Sequence, residues 1–214
     1  MSGAIYYETR PDGCGATNSG FEVDPKSTET AHLWCGRGIG PQSWPDGYGR
    51  LPRHPYQFTE TYETPRLLMT PRKKQRPPID CEFWGGMWFI SQRFKNMIEE
   101  IDLGACDIRP AQTIMPDGSA GPEYWICSVT RMLESKNIVD VENSKNLKIV
   151  QLPTGSIAYR IDSIEHLRLI NVEHKYHLFR IMEFSDRIFC SNDLKIKITE
   201  AKLTGIGFTK LGRR

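Results

Sequence analysis

Apolar and polar positions follow different patterns in the two parts of the chain. Between residues 9 and 80 no period holds. Aromatic residues are interspersed with Gly, Pro and Thr, and Pro11-Asp12-Gly13, Gly36-Arg37-Gly38-Ile39-Gly40-Pro41 and Trp44-Pro45-Asp46-Gly47 carry turn chemistry. Pro presets φ there and Gly permits positive φ. This part predicts loops and short strands, with an opening strand over residues 4–8. Trp34, Trp44, Tyr48, Tyr56, Phe58 and Tyr62 still need a surface to pack on or to offer to a partner. Residues 65–78 read as a linker. They carry Arg66, Arg72, Lys73, Lys74 and Arg76, with no acid between Glu63 and Asp80.

Regular patterning begins at Asp80. Phe83-Trp84-Gly85-Gly86-Met87-Trp88-Phe89-Ile90 is a dense aromatic run split by a Gly pair, which predicts a buried strand or turn. Ser91 follows as an N-cap, because its hydroxyl can accept from the free amides of a first helical turn. Phe94, Met97, Ile98 and Ile101 then recur at i, i+3, i+4 and i+7, the spacing of one helical face. Glu99 and Glu100 fall on the opposite side, Asp102 sits at the edge of the apolar face, and Gly104 reads as a stop. Strand patterns follow over residues 124–129, 147–152, 167–172 and 178–184, with a polar connection over 173–176. Ser191 is a second candidate cap. Beyond it, Leu194, Ile198 and Ala201 fit a helix, whereas Leu194, Ile196 and Ile198 fit a strand; the Ser cap and Asp193 in the first turn favour the helix. A closing strand is expected over 205–208, and no internal repeat is read. The order predicts an α+β fold: a largely antiparallel sheet with a few helices, preceded by a loop-rich N-terminal region. We place the loop-rich region at 1–80 and the α+β part at 81–214, packed together as one unit.

Composition narrows the class of partner. Lys and Arg number 28 against 26 Asp and Glu, for a net charge of +2 over 214 residues. That balance is too mild to argue for nucleic-acid or membrane binding, and it argues against a strongly acidic protein built to imitate DNA. No run of apolar residues is long enough for a membrane span. The N-terminus lacks the basic start and apolar stretch of a signal peptide, so a cytoplasmic location is expected. The cysteines, Cys14, Cys35, Cys81, Cys106, Cys127 and Cys190, are scattered without a C-x-x-C pair and read as reduced thiols. Cys127 and Cys190 sit in apolar runs and are expected in the core.

Reactive chemistry is hard to locate. His32-x-x-Cys35 and His174-x-x-His177 each offer two ligands but lack a second pair at zinc-finger spacing, and no cofactor or metal is expected. On a strand, two histidines three positions apart would face opposite sides. There is no G-x-S-x-G elbow, and Gly36-x-Gly38-x-Gly40 lacks the following helix that a phosphate cradle needs. A helix N-terminus at Ser191 would lower the pKa of Cys190 and burial would raise it; a plain core cysteine is the simpler reading. The acids are dispersed, so no catalytic residue is assigned.

Three stretches resemble a bacterial family of immunity proteins from polymorphic toxin systems, immunity family eleven. Phe89-Ile90-Ser91-Gln92-Arg93-Phe94, leading to Met97-Ile98-Glu99 and Asp102, is similar to that family's start of a helix ending in Asp-x-Gly. His177-Leu178-Phe179-Arg180-Ile181 is similar to its apolar-Phe-Arg strand. Ile188-Phe189-Cys190-Ser191-Asn192-Asp193-Leu194-Lys195, followed by Leu203-Thr204-Gly205-Ile206-Gly207-Phe208, resembles its second capped helix and closing strand. The resemblance spans roughly Phe83 to Phe208; the stretch from Cys35 to Pro78 matches nothing in it.

The resemblance implies an inhibitor of a cognate toxin domain, a nuclease or another intracellular enzyme, with no cofactor and no catalytic residues. Such inhibitors rely on a few aromatic or Arg anchors and on charge complementarity. The expected partner-binding residues are the acids Glu99, Glu100, Asp102, Asp140 and Glu142 and the aromatics Trp34, Trp44 and Tyr48. The alternatives are an enzyme with an unrecognised site, for example a hydrolase reversing a toxin's modification, and a nucleic-acid binder using Arg66 to Arg76.

Overall fold

The computed structural model describes residues 4–12, 21–24, 58, 64–69, 79–84, 86–151 and 157–212. Trp34, Trp44, Tyr48, most of the 35–78 stretch and Arg72 to Arg76 lie outside the described residues. The fold is α+β, as the patterning predicts, and its strands are mostly antiparallel.

The aromatic run folds as a hairpin. β4 (Cys81–Trp84) pairs with β5 (Met87–Ser91), Cys81 opposite Ile90 and Trp84 opposite Met87, with Gly86 in the turn. Ser91 leaves the strand with an extended backbone and caps α1 (Gln92–Ile101), its hydroxyl accepting from the Phe94 amide at 3.3 Å. Phe94 and Ile98 are buried on one face of α1, as their spacing requires. Each such side chain contributes about 1.5–3 kcal/mol when removed from water. β6 (Cys106–Ile114) and β7 (Tyr124–Val129) follow, and β7 pairs with both β5 and β6. β2 (Phe21–Val23) and β3 (Arg66–Met69) extend this sheet on the β6 side, giving the order β2-β3-β6-β7-β5-β4.

A second sheet has the order β13-β1-β12-β11-β8, made of β1 (Tyr6–Pro11), β8 (Met132–Leu133), β11 (Leu178–Ile181), β12 (Phe184–Ser191) and β13 (Ile206–Lys210). The opening strand is therefore inserted between two C-terminal strands. Ser191 ends β12 and caps α3 (Asn192–Glu200), accepting from the Leu194 amide at 3.2 Å. The helix alternative for 192–200 wins because that cap and the buried Leu194 and Ile198 face agree.

The two sheets repeat one module, which corrects the expectation of no repeat. In each, a hairpin ends at a serine, a helix follows, and a strand returns. The pairings match position by position: Cys81 faces Ile90 as Leu178 faces Cys190, Ser91 faces Tyr124 as Ser191 faces Tyr6, and Cys106 faces Val129 as Ile206 faces Pro11. The strand that β7 supplies in the first module is supplied in the second by β1, from the other end of the chain. One core joins the equivalent residues: Cys81 and Leu178, Trp88 and Ile188, Ile90 and Cys190, Phe94 and Leu194, Ile98 and Ile198. The apolar identities differ at most of these pairs, which hid the repeat in the sequence.

Each module also latches the other. After α1, the Asp102 carboxylate accepts from the amides of His177 (2.6 Å) and Leu178 (2.8 Å), where β11 begins. After α3, Thr204 accepts from the amides of Asp80 (through its hydroxyl, 3.1 Å) and Cys81 (through its carbonyl, 3.0 Å), where β4 begins. The buried Arg180 guanidinium spans the two sheets, donating to the carbonyls of Val129 (2.9 Å), Ser185 (2.6 Å) and Gly86 (2.5 Å).

A second core covers the opposite face of the β1-containing sheet. Phe179, Ile181 and Phe189 point into it, while Leu178, Ile188 and Cys190 point into the first. Its lid is the short helix α2 (Ser135–Ile138), the hairpin of β9 (Leu147–Gln151) with β10 (Ile157–Ile161), and the segment through Leu167, Leu169 and Val172. Two strand expectations are corrected here. Residues 167–172 keep their alternation, with Leu167 and Leu169 buried and Ile170 exposed, but make only an isolated bridge from Leu169 to Val139. Their neighbour is the end of a four-residue helix, which offers no strand to pair with. The run 178–184 divides at Met182–Glu183. That turn carries no Gly or Asn signal and is held from outside, by Met182 donating to the Leu133 carbonyl and by Ser135 donating to the Glu183 carboxylate.

Candidate partner-binding surface

α1 and α3 pack beside each other, and their outer sides carry most of the exposed charge expected to matter. Glu99 is exposed and pairs along its own helix with Lys95 at 2.8 Å; Lys95 in turn lies 4.5 Å above the Trp125 ring. Glu100 reaches across to Lys197 of α3 at 2.6 Å. The Lys197 hydrogen bond, and then its charge, holds the Glu100 carboxyl below its ordinary value. These pairs keep both carboxylates at the surface while partly satisfying them.

Asp102 differs in kind. Its side chain is 2% exposed, and both oxygens accept from Arg131, at 2.5 and 2.6 Å, besides the two amides of β11. It is thus placed inside the fold as a latch, away from any contact surface. The helix pattern put it at the edge of the apolar face; what closes over it, Arg131 and the start of β11, is remote in sequence.

Asp140 precedes a turn over residues 141–143, and Glu142 lies within it. Asp140 is half-buried, and its carboxylate accepts from the Asn143 backbone amide (3.1 Å) and side-chain amide (2.9 Å). Glu142 is exposed, as is Val141 beside it. Asp140 also lines a cleft of about 410 Å³ with Arg168, Ile170 and Lys210, so the acid faces a basic wall there.

A second concavity, of about 280 Å³, lies where β1, β12 and α3 meet, and sequence reasoning did not find it. His174 and His177 both line it, because residues 174–175 form a turn instead of the strand on which they would have diverged. His177 Nδ1 lies 2.8 Å from Ser191 Oγ. This contact resembles the serine–histidine pair of a hydrolase. The repeat supplies another reason for it: in the first module Ser91 makes the same contact with the Asp80 carboxylate, also at 2.8 Å, and both serines cap helices. Holding the strand start to the helix start explains both contacts.

Cys81, Cys127 and Cys190 are buried, and burial pushes all three thiols up, away from the thiolate a nucleophile requires. For Cys190, burial outweighs the charge of Lys195, which acts in the opposite direction. Among the described residues, no group of His, Cys, Asp and Glu is placed to hold a metal ion, and no helix is long and apolar enough to cross a membrane. Arg66, of the basic stretch, pairs with Asp24 at 3.3 Å.

A family model described as "Immunity protein family (Imm11)" matches residues 21–213. No curated protein matches the chain.

Proposed function

The chain belongs to the Imm11 immunity protein family, and we propose that it binds and neutralises a cognate toxin effector inside the cell that produces both. In this reading the chain works as a stoichiometric inhibitor in a polymorphic toxin system, delivered against competitors by a route such as type VI secretion, and it acts in the cytoplasm. The family match over residues 21–213 carries the reading, since it covers the first module, the second module apart from β1, and most of the loop-rich region. The surface supports it. Exposed carboxylates such as Glu99, Glu100 and Glu142 are distributed on a chain of near-zero net charge, which suits recognition by a local patch. In this reading Trp34, Trp44 and Tyr48, outside the described residues, serve as aromatic anchors of the kind that dominate tight interfaces.

The test is protection. The toxin encoded beside this gene, expressed alone, should arrest growth, and co-expression of this chain should restore it. If growth stays arrested although the chain accumulates in folded form, the reading fails. An enzymatic alternative, a hydrolase reversing the toxin's modification, would need turnover; protection that persists at chain levels far below those of the toxin would favour it.

A further inference from the structure

Besides the register shift in the second hairpin, the repeat differs where each hairpin begins, and that difference leaves a cleft. Where the first module has Asp80, the second has His177. Each passes its carbonyl to the serine amide and its side chain to the serine hydroxyl. On the first side the Asp80 carboxylate is closed over by Thr204, whose amide (3.0 Å) and hydroxyl (3.1 Å) both reach it. On the second side His177 instead faces the 280 Å³ concavity, walled by Glu173, His174, Tyr176, Asn192 and Asp193 and floored by residues 4–6.

The lining chooses the sign of an occupant. It includes two carboxylates, Glu173 and Asp193, and no Lys or Arg. Glu173 is partly offset by Lys175 at 2.8 Å and by the charge of Arg131, whose guanidinium lies 4.4 Å from the Tyr176 ring; both cations lie outside the lining. Asp193 stands in the first turn of α3, where it complements the positive helix end. Two amides of that end are already engaged: the Leu194 amide by the Ser191 hydroxyl and the Asn192 amide by the Ile5 carbonyl. Asp193's charge also reaches the floor, where it adds to burial in raising the Tyr6 hydroxyl. Imidazole, phenol and amide groups fill the space between the carboxylates with hydrogen-bonding surface. A metal ion is a poor occupant, because among the described residues no three ligating groups converge. An elongated cation with several donors suits both the acids and the acceptors between them.

We infer that this cleft receives a basic side chain, an arginine or lysine, projected by the cognate toxin. The inference rests on the proposed function and names the surface that would carry it out. Exposed carboxylates at the mouth speed the encounter, and the polar walls hold the seated cation.

The experiment titrates the purified toxin domain encoded by the adjacent gene against wild type, against an E173Q/D193N double variant and against D162N, an exposed acid outside the cleft, at low and moderate salt. Both cleft acids are exposed, so the double variant should unfold at the wild-type urea concentration, which checks its fold. The expected result is binding weakened at least about tenfold in the double variant, with slower association and a shallower salt dependence, and D162N close to wild type. Wild-type affinity in a folded double variant would overturn the inference and leave the proposed function standing. No binding by wild type would remove the proposed function, and the inference with it.

Discussion

Replacing Asp102 with alanine should damage the fold more than removing any other surface-predicted acid. The carboxylate accepts from the part-buried His177 amide and the buried Leu178 amide, at the start of β11, and from Arg131 at 2.5 and 2.6 Å. Each amide left buried without an acceptor costs about 1–3 kcal/mol. Breaking a buried ion pair from one side costs about 3–5 kcal/mol. These terms overlap, and Arg131 keeps 15% of its side chain exposed, through which it can recover some solvation. We expect about 4 kcal/mol for D102A and about half that for D102N, which retains one acceptor oxygen. Urea unfolding followed by tryptophan fluorescence reads this as a lower midpoint at unchanged slope. Combining D102A with R131M should cost less than the two changes summed, because both remove one interaction. A D102A midpoint within about 1 kcal/mol of wild type would refute the latch. A folded D102N that binds the toxin normally would agree with its place in the interior.

The two post-helix glycines make a paired test. Gly104 and Gly205 share nearly the same positive φ, 88° and 90°. A Cβ at Gly104 meets nothing within 4 Å, whereas at Gly205 it collides with the Cys81 carbonyl. G104A should cost about 1–2 kcal/mol from φ alone, and G205A clearly more; equal losses in thermal unfolding would contradict the close approach of the modules. The Glu100–Lys197 bridge predicts a pH effect. Folding favours the charged carboxylate, so the bridge contributes above the ordinary glutamate pKa and fades as pH falls through the depressed value. NMR titration should place Glu100 below an ordinary glutamate, and K197M should return it to the usual range. The caps predict that S91A and S191A each cost about 1 kcal/mol; if S191A keeps its stability, Ser191 is no cap and the serine–histidine contact needs another explanation.

The sequence disclosed the parts of this fold that depend on short range. Ser91 and Ser191 announce their helices because a cap needs only three residues of context, and both helices begin where they predict. The aromatic run and the 124–129 segment read correctly as strands because their apolar character shows without a partner. What failed depended on distant neighbours. The alternation at 167–172 is genuine, but pairing was decided by the short helix at Ser135–Ile138. The turn at Met182–Glu183 is imposed by Leu133 and Ser135. The repeat was hidden because Trp88 corresponds to Ile188 and Phe94 to Leu194, while the strand that completes the second module comes from the opposite end of the chain. Among the site residues, the exposure of Glu99 and Glu100 followed from the helical pattern. The burial of Asp102 did not, because Arg131 and His177 lie far away in sequence. The His177 cleft was invisible for the same reason: three separated segments build it.

The most direct test of the account is a titration of toxin activity. Purified chain is added in increments to a fixed amount of the adjacent gene's toxin domain, with binding and toxin activity measured on the same samples. The account predicts saturable binding and activity that falls in step with the occupied fraction, reaching its floor when the toxin is saturated. Undiminished toxin activity in the presence of a large excess of folded chain would contradict it.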